Sequence, residues 1–373
     1  MENTVFKKLA QHLNKLPGGF PPTETGVELR ILRRLFTLEE AELALHLTLI
    51  PEQARIIAYR AKISNTDAEA RLEEMANKGL IFRIQPEDEP AMYMAQSYVI
   101  GIWEFHVNDL DPEFIRDMGE YLPQLFKEAW KVPQLRTIPV RRSITAQLEV
   151  LPYEAAEVLV RKQETFAVAP CICRREQKMI GKGCRKPEKT CLVFGMAADY
   201  YVRNGIGRAT DLKETLEILK TADEEGLVLQ PSNTQDVLNI CCCCGDCCGV
   251  LRTVKKFPRP ASLVFSPFFV SINPDTCQGC GLCVERCQMD ALSLVDEKAT
   301  LNLDNCIGCG LCVSTCPTES LTLVRKAASD QPNIPKDIIK ASIQRGRKRG
   351  TLTPLNLVQM QIKSKIDRLL AAR

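Results

Sequence analysis

Cys277, Cys280, Cys283 and Cys287 follow one another at C-x2-C-x2-C-x3-C spacing, and Cys306, Cys309, Cys312 and Cys316 repeat it further along the chain. Three thiolates two residues apart can wrap a tight loop around one face of a four-iron cube, while the fourth starts an element that leads away. Gly279, Gly281, Gly308 and Gly310 lie inside these loops, where the backbone has to approach the cube closely. A pair of zinc sites fits this repeat poorly.

Ten more cysteines precede the repeat. Cys171, Cys173, Cys184 and Cys191 form one group, and "NICCCCGDCCGV" at residues 239–250 carries the rest. Adjacent side chains diverge, so neighbouring cysteines are expected to serve different irons or different clusters. Within the run, Cys241, Cys244 and Cys247 keep two-residue gaps, and Cys243, Cys244 and Cys248 are an equally usable subset. The candidate ligands are Cys171, Cys173, Cys184, Cys191, Cys241, Cys243, Cys244, Cys247 and Cys248, enough for one or two additional iron–sulfur clusters. Arg174, Arg175, Lys178, Lys182, Arg185, Lys186 and Lys189 crowd the first group and would offset the negative charge of a thiolate cluster. A zinc or redox-sensing thiol site is the alternative. His12, His46 and His106 all lie far along the chain from these groups, against mixed Cys/His zinc binding.

The repeat resembles the two-cluster bacterial ferredoxin run over residues 268–325. That resemblance implies two [4Fe-4S] clusters with crossed ligands, Cys277, Cys280, Cys283 and Cys316 for the first and Cys306, Cys309, Cys312 and Cys287 for the second, and one-electron transfer at low potential. Pro317 follows the last cysteine as the pattern expects, whereas Gln288 stands at the corresponding place in the first run. Cys243-Cys244-Gly245 and Cys247-Cys248-Gly249 look like the Cys-Cys-Gly signature of heterodisulfide reductase catalytic subunits, which bind noncubane clusters. In that family the signatures stand far apart, and here they nearly touch.

Several elements must position these groups. "TLEEAELALHL" opens with Thr37 and has Glu40 three residues on, a capping box; Pro51 is expected in the first turn of a second helix, and Thr66 with Glu69 repeats the box before a stop at Gly79. "LIFRIQ" and "AMYMAQ" around "PEDEP" read as a hairpin. Three helices and a hairpin resemble a winged helix. Its would-be recognition helix holds Asp67, Glu69, Glu73 and Glu74 against Arg71 and Lys78, the wrong sign for phosphate, so docking or dimerisation is expected ahead of DNA binding. Residues 112–131 read as a helix kinked or broken at Pro123, "TFAVAP" and "LVLQ" as strands, and "LKETLEILKTADEEG" as an amphipathic helix ending at Gly226. The upstream cysteines are expected in loops at the ends of these elements. "RGRKRG" at residues 345–350 reads as a solvated tail, and "LNLVQMQIKSKIDRLLAA" as a docking helix.

The expected fold class is α+β and multidomain: a winged-helix-like N-terminal domain over 1–110, an α/β cysteine-rich middle domain over 111–265, a ferredoxin-like dicluster domain over 266–327, and a basic linker with a C-terminal helix over 328–373. This combination resembles ferredoxin-like iron–sulfur proteins of anaerobic bacteria. With 45% hydrophobic residues, 25% charged and a net charge of +3, the chain reads as soluble and globular, with no broad affinity for nucleic acid or anionic membrane. The first twenty residues carry no export signal and no segment reaches transmembrane length, so a cytoplasmic protein with reduced thiols is expected. "GIGR" lacks the dinucleotide fingerprint and "GKGC" is no phosphate loop. The expected function is electron transfer with redox partner proteins or oxidoreductase subunits, as a component more than as an independent catalyst. The alternatives are a redox-responsive winged-helix regulator and an oxidoreductase with a catalytic, noncubane cluster upstream; homo-oligomerisation is left open.

Overall fold

The computed structural model describes residues 2–371, which form helices and antiparallel sheets of α+β type. The chain divides into two compact units: one holds the residues up to Val132, Tyr200–Ile206 and the stretch from Ser342 on, the other Pro133–Asp199 and Gly207–Ala341.

In the first unit the helices and hairpin expected over residues 28–97 are present. Thr37 and Glu40 form the capping box of Leu38–Ala44, with Glu40 Oε2 accepting from Thr37 N at 2.8 Å. Other details shift. Pro51 is not in a helix: Glu52–Gln53 pairs as a strand with the hairpin strand Met92–Met94, and the helix begins at Ala54. Buried Glu52 is held there by Arg60 and by the Ser364 hydroxyl at 2.6 Å. Helix Asn65–Asn77 is capped by Ser64, whose hydroxyl accepts from Asp67 N, leaving Thr66 inside the first turn; the residue with extended backbone is the one that can aim at the orphan N–H groups. Helix Pro112–Ala129 runs on through Pro123. This helix belongs to the first unit rather than to the cysteine-rich region, tied there by Arg30–Asp117 at 3.2 Å.

The basic stretch near the C-terminus is folded, not a solvated tail. It closes helix Ile338–Arg349, where Arg345 is buried and Arg349 donates to the carbonyl oxygens of Asn14 and Leu16 at 3.0 and 2.6 Å. Those carbonyls end the first helix, the negative pole of its dipole. The last helix, Pro354–Leu370, docks through Asp367, which shares Arg60 with Glu52 at 2.5 Å each.

The second unit is built on a five-stranded, wholly antiparallel sheet in the spatial order Arg208–Thr210, Phe166–Pro170, Lys189–Phe194, Asn239–Cys243 and Val228–Pro231. Helix Ile172–Met179 follows the second of these strands, and helix Leu212–Glu224 follows the first and ends before Gly226. Residues 268–325 add two small antiparallel pairs, Phe268–Ile272 with Leu321–Arg325 and Leu292–Val295 with Lys298–Leu301. Phe268, Val270, Ala291, Leu292, Leu321 and Leu323 form a core between them.

Candidate metal centres

Each cysteine loop of the 268–325 region turns back on its own side. Gly279 and Gly308 take left-handed φ of +67° and +64°, and a Cβ on either would run into the carbonyl oxygen of Glu297 or Phe268; only glycine permits the approach. One cavity is lined by Cys306, Cys309, Cys312 and Cys287 with Ile307 and Leu311. The other is lined by Cys277, Cys280, Cys283 and Cys316 with Leu294 and Thr318. The fourth cysteine of each run thus faces the other run's three. Backbone N–H groups point at the sulfurs: Ala291 donates to Cys287 Sγ at 3.2 Å, Ser320 to Cys316 Sγ at 3.3 Å and Ala299 to Cys277 Sγ at 3.4 Å.

The two cavities differ electrostatically. Burial pushes the Cys309 thiol up to about 12 and raises Cys306 and Cys312 as well. In the cavity of Cys277, Cys280, Cys283 and Cys316, Cys280 is exposed, and the Ala299 and Gly279 amides hold Cys277 below the usual thiol range. Burial raises Cys316, but the Thr318 hydroxyl and nearby amides outweigh it and bring that thiol down too. One site faces solvent and the other faces protein.

Four thiols on each of two cavities, cradled by amides, match a known pattern. Residues 270–323 match the 4Fe-4S dicluster domain family. No curated protein and no solved structure matches the chain. The donor set, the cavities and the glycine turns fit [4Fe-4S] binding by this dicluster domain, and with it an electron-transfer role. Among the described residues, no helix is long and apolar enough to cross a membrane.

Upstream of the dicluster domain, the cysteine run is a strand rather than a loop. Asn239–Cys243 alternates faces, so Ile240 and Cys242 point one way and Cys241 and Cys243 the other. Cys242, 2% exposed, packs as a small hydrophobe. Cys241 lies directly across from Cys191, which itself sits inside a strand opposite Ala169. From this pair a row of neighbouring thiols runs Cys191, Cys241, Cys243, Cys248, Cys173, Cys171. The Cys173, Cys191 and Cys241 thiols, with burial, push Cys171, Cys241 and Cys243 respectively well above the ordinary thiol value. Protons therefore stay on Cys171, Cys241 and Cys243 unless a metal displaces them.

Cys184, Cys244 and Cys247 form a separate group, their three sulfurs all within 4.8 Å of one another. Each Cys-Cys pair thus sends one thiol to the row, Cys243 and Cys248, and one to the trio, Cys244 and Cys247. Neither subset suggested by spacing, Cys241/Cys244/Cys247 or Cys243/Cys244/Cys248, stays together. A period-two reading of residues 239–243 would have separated Cys242 from its neighbours; the split between Cys244 and Cys248 depends on the turn that follows.

Of the seven cations around the first group, Arg174 alone is buried. Its guanidinium donates to Pro187 O, Thr190 Oγ1 and Cys242 O at 2.8, 2.6 and 2.6 Å, all neutral acceptors. Burial pulls its pKa down, but the nearby sulfurs of Cys171, Cys244 and Cys243 outweigh that and the net shift is upward. Arg175 pairs with Glu188 at 2.7 Å, and Lys178, Lys182, Arg185 and Lys189 are exposed.

The dicluster domain meets this region at Gln288, whose Oε1 accepts from Gly245 N at 2.7 Å. A Cβ at Gly245 would strike the Gln288 carbonyl. Asp223, on helix Leu212–Glu224, adds a second tie by accepting from Arg142 twice at 3.0 Å and from Ser314 Oγ at 3.1 Å.

Proposed function

We propose that the protein relays single electrons to or from a partner oxidoreductase, using the dicluster domain and a further iron–sulfur centre held by the row Cys171, Cys173, Cys191, Cys241, Cys243 and Cys248. Within the dicluster domain, Cys277, Cys280, Cys283 and Cys316 would hold one cluster and Cys287, Cys306, Cys309 and Cys312 the other. The bound clusters supply reversible one-electron exchange at low potential. The observation that carries the reading is the Gly245–Gln288 hydrogen bond, which joins the residue after Cys287 to the cysteine run itself. Exposed Cys280 offers the partner-facing end, and Cys309 and Cys312 the inward one. Arg174 supplies a fixed cation that favours added negative charge on the row.

The N-terminal winged-helix-like region serves docking rather than DNA in this reading. Three cations of its would-be recognition helix and hairpin are already engaged by acids: Arg71 by Asp67 at 2.9 Å, Lys78 by Glu40 and Glu74 at 2.7 Å each, and Arg83 by Glu73. Phosphate binding would need them free.

Iron and acid-labile sulfide, measured on protein purified without oxygen, test the relay. About twelve or more of each per chain is expected, and about eight, the content of the dicluster domain alone, would remove the upstream centre.

The size of the row favours a second reading. Six thiols exceed the four that one cubane needs, which suits a noncubane or substrate-binding cluster and hence an oxidoreductase acting at this face. A spectral change of the upstream centre on adding a disulfide substrate would select it over simple relay.

A further inference from the structure

We propose that Cys184, Cys244 and Cys247 hold a single metal ion, zinc by its ligand set, separate from every iron–sulfur centre, and that this ion clamps the turn which docks the dicluster domain. The first ground is distance. Zinc–thiolate bonds of about 2.3 Å in a tetrahedron place sulfurs about 3.8 Å apart. Cys184 Sγ and Cys244 Sγ are 3.7 Å apart, and Cys247 joins them within 4.8 Å. Thiolates on a multi-iron cluster bind different irons and stand further apart. The protein holds its own comparison: among the described residues, no three cysteines of the dicluster domain or of the six-thiol row gather this closely.

The second ground is how the chain builds the trio. Cys244 and Cys247 bracket a C-x2-C turn, the spacing zinc sites use, closed by Cys248 N donating to Cys244 O at 3.1 Å. Cys184 comes from the far side. Helix Ile172–Met179 is terminated by Gly181 N to Lys178 O and Lys182 N to Gln177 O, and Gly183 passes so close to the Lys178 backbone that a Cβ would collide with it. The "GKGC" segment, which serves no phosphate, is therefore shaped to bring one thiol to this point.

The third ground is charge. Arg174 is 96% buried by its 4% exposure, its Nε lacks a hydrogen-bond partner, and its other nitrogens meet only neutral acceptors. A buried cation needs anions close by, and it faces Cys244 of the trio together with Cys171 and Cys243 of the row. Three thiolates on one divalent ion leave a net negative charge for it to balance. No histidine, carboxylate or fourth cysteine among the described residues joins the trio, so a water or an outside ligand completes the tetrahedron.

The clamp has a consequence for the Gly245–Gln288 contact, because Gly245 lies between Cys244 and Cys247. The ion would fix the turn whose N–H reaches Gln288. The inference does not require the row to hold iron.

Zinc, iron and sulfide are to be measured on the full chain purified without oxygen, for the native protein, Cys184→Ala and Cys191→Ala. Native protein should hold about one zinc; Cys184→Ala should lose it at least about fivefold with iron and sulfide unchanged, while Cys191→Ala keeps it. Loss of iron and sulfide in Cys184→Ala, or no zinc in native protein, overturns the proposal. X-ray absorption at the zinc edge of native protein needs no variant: a shell of three sulfurs near about 2.3 Å with one lighter atom supports the site, and four sulfurs or none refutes it. A native iron content of about eight with zinc present would sink the relay and leave this site standing.

Discussion

Gln288 accepts a hydrogen bond from the backbone N–H of Gly245 at 2.7 Å, and it stands where the second cysteine run of the same domain has Pro317. The substitution is a joint: an amide side chain reaches out of the dicluster domain and takes an N–H that the turn between Cys244 and Cys247 cannot satisfy internally. Gln288→Ala should leave iron content intact and cost about 1 kcal/mol of stability, the usual worth of one such bond. It should also slow reduction of the upstream centre in rapid-mixing experiments. Unchanged upstream kinetics would remove this contact from the relay.

Strand alternation makes a sharper prediction. Cys242→Ala should keep the full iron and sulfide content and lose only about 1 kcal/mol from packing, because its thiol is on the apolar face with Ile240. Cys241→Ala, one residue away, should lose the upstream centre while the dicluster signals persist in electron paramagnetic resonance. Equal iron loss in both variants would contradict the division of the run.

Arg174→Met keeps side-chain volume and removes the buried cation. A unit charge several ångströms away at an effective dielectric near 20 is worth about 2 kcal/mol, so the upstream potential should fall on the order of 100 mV. Spectroelectrochemical titration reads this directly, with the dicluster potentials as internal reference.

Stability should also depend on pH through a residue far from any thiol in sequence. Burial pushes the Glu104 carboxyl up to about 7, against the Gly101 N–H that donates to it at 2.6 Å. Between the ordinary value of 4.5 and about 7 the folded protein keeps a proton that the unfolded chain has released. This contribution is full below the window and is lost as pH rises through it, by about 3 kcal/mol in all. Urea unfolding at pH 5 and pH 8 should show the loss in native protein and much less of it in Glu104→Gln.

The dicluster cysteines were legible because their spacing is a covalent constraint on a loop, independent of the rest of the fold. Thr37 was legible for a similar reason, since a capping box closes within four residues. The Ser64 cap was missed by two residues because Thr66 offers the same chemistry and only backbone conformation separates them. Four consecutive cysteines carry no hydropathy contrast, which hid the strand at Asn239–Cys243. The strand at Glu52–Gln53 was hidden because its pairing partner, Met92–Tyr93, lies some forty residues along the chain. The partition of Cys243 and Cys248 from Cys244 and Cys247 depends on side chains arriving from Cys173 and Cys184, a tertiary fact with no local trace.

The direct opposition of Cys191 and Cys241 across neighbouring strands bears on how the molecule fails and is mended. Three strand thiols with Cys248, Cys173 and Cys171 from helix starts beside them, if they hold metal as proposed, would once stripped in air be equally able to couple two by two into disulfides. Such a molecule would keep its fold and its dicluster domain yet refuse fresh iron. Repair would then begin with a thiol reductant, and only afterwards with a metal donor.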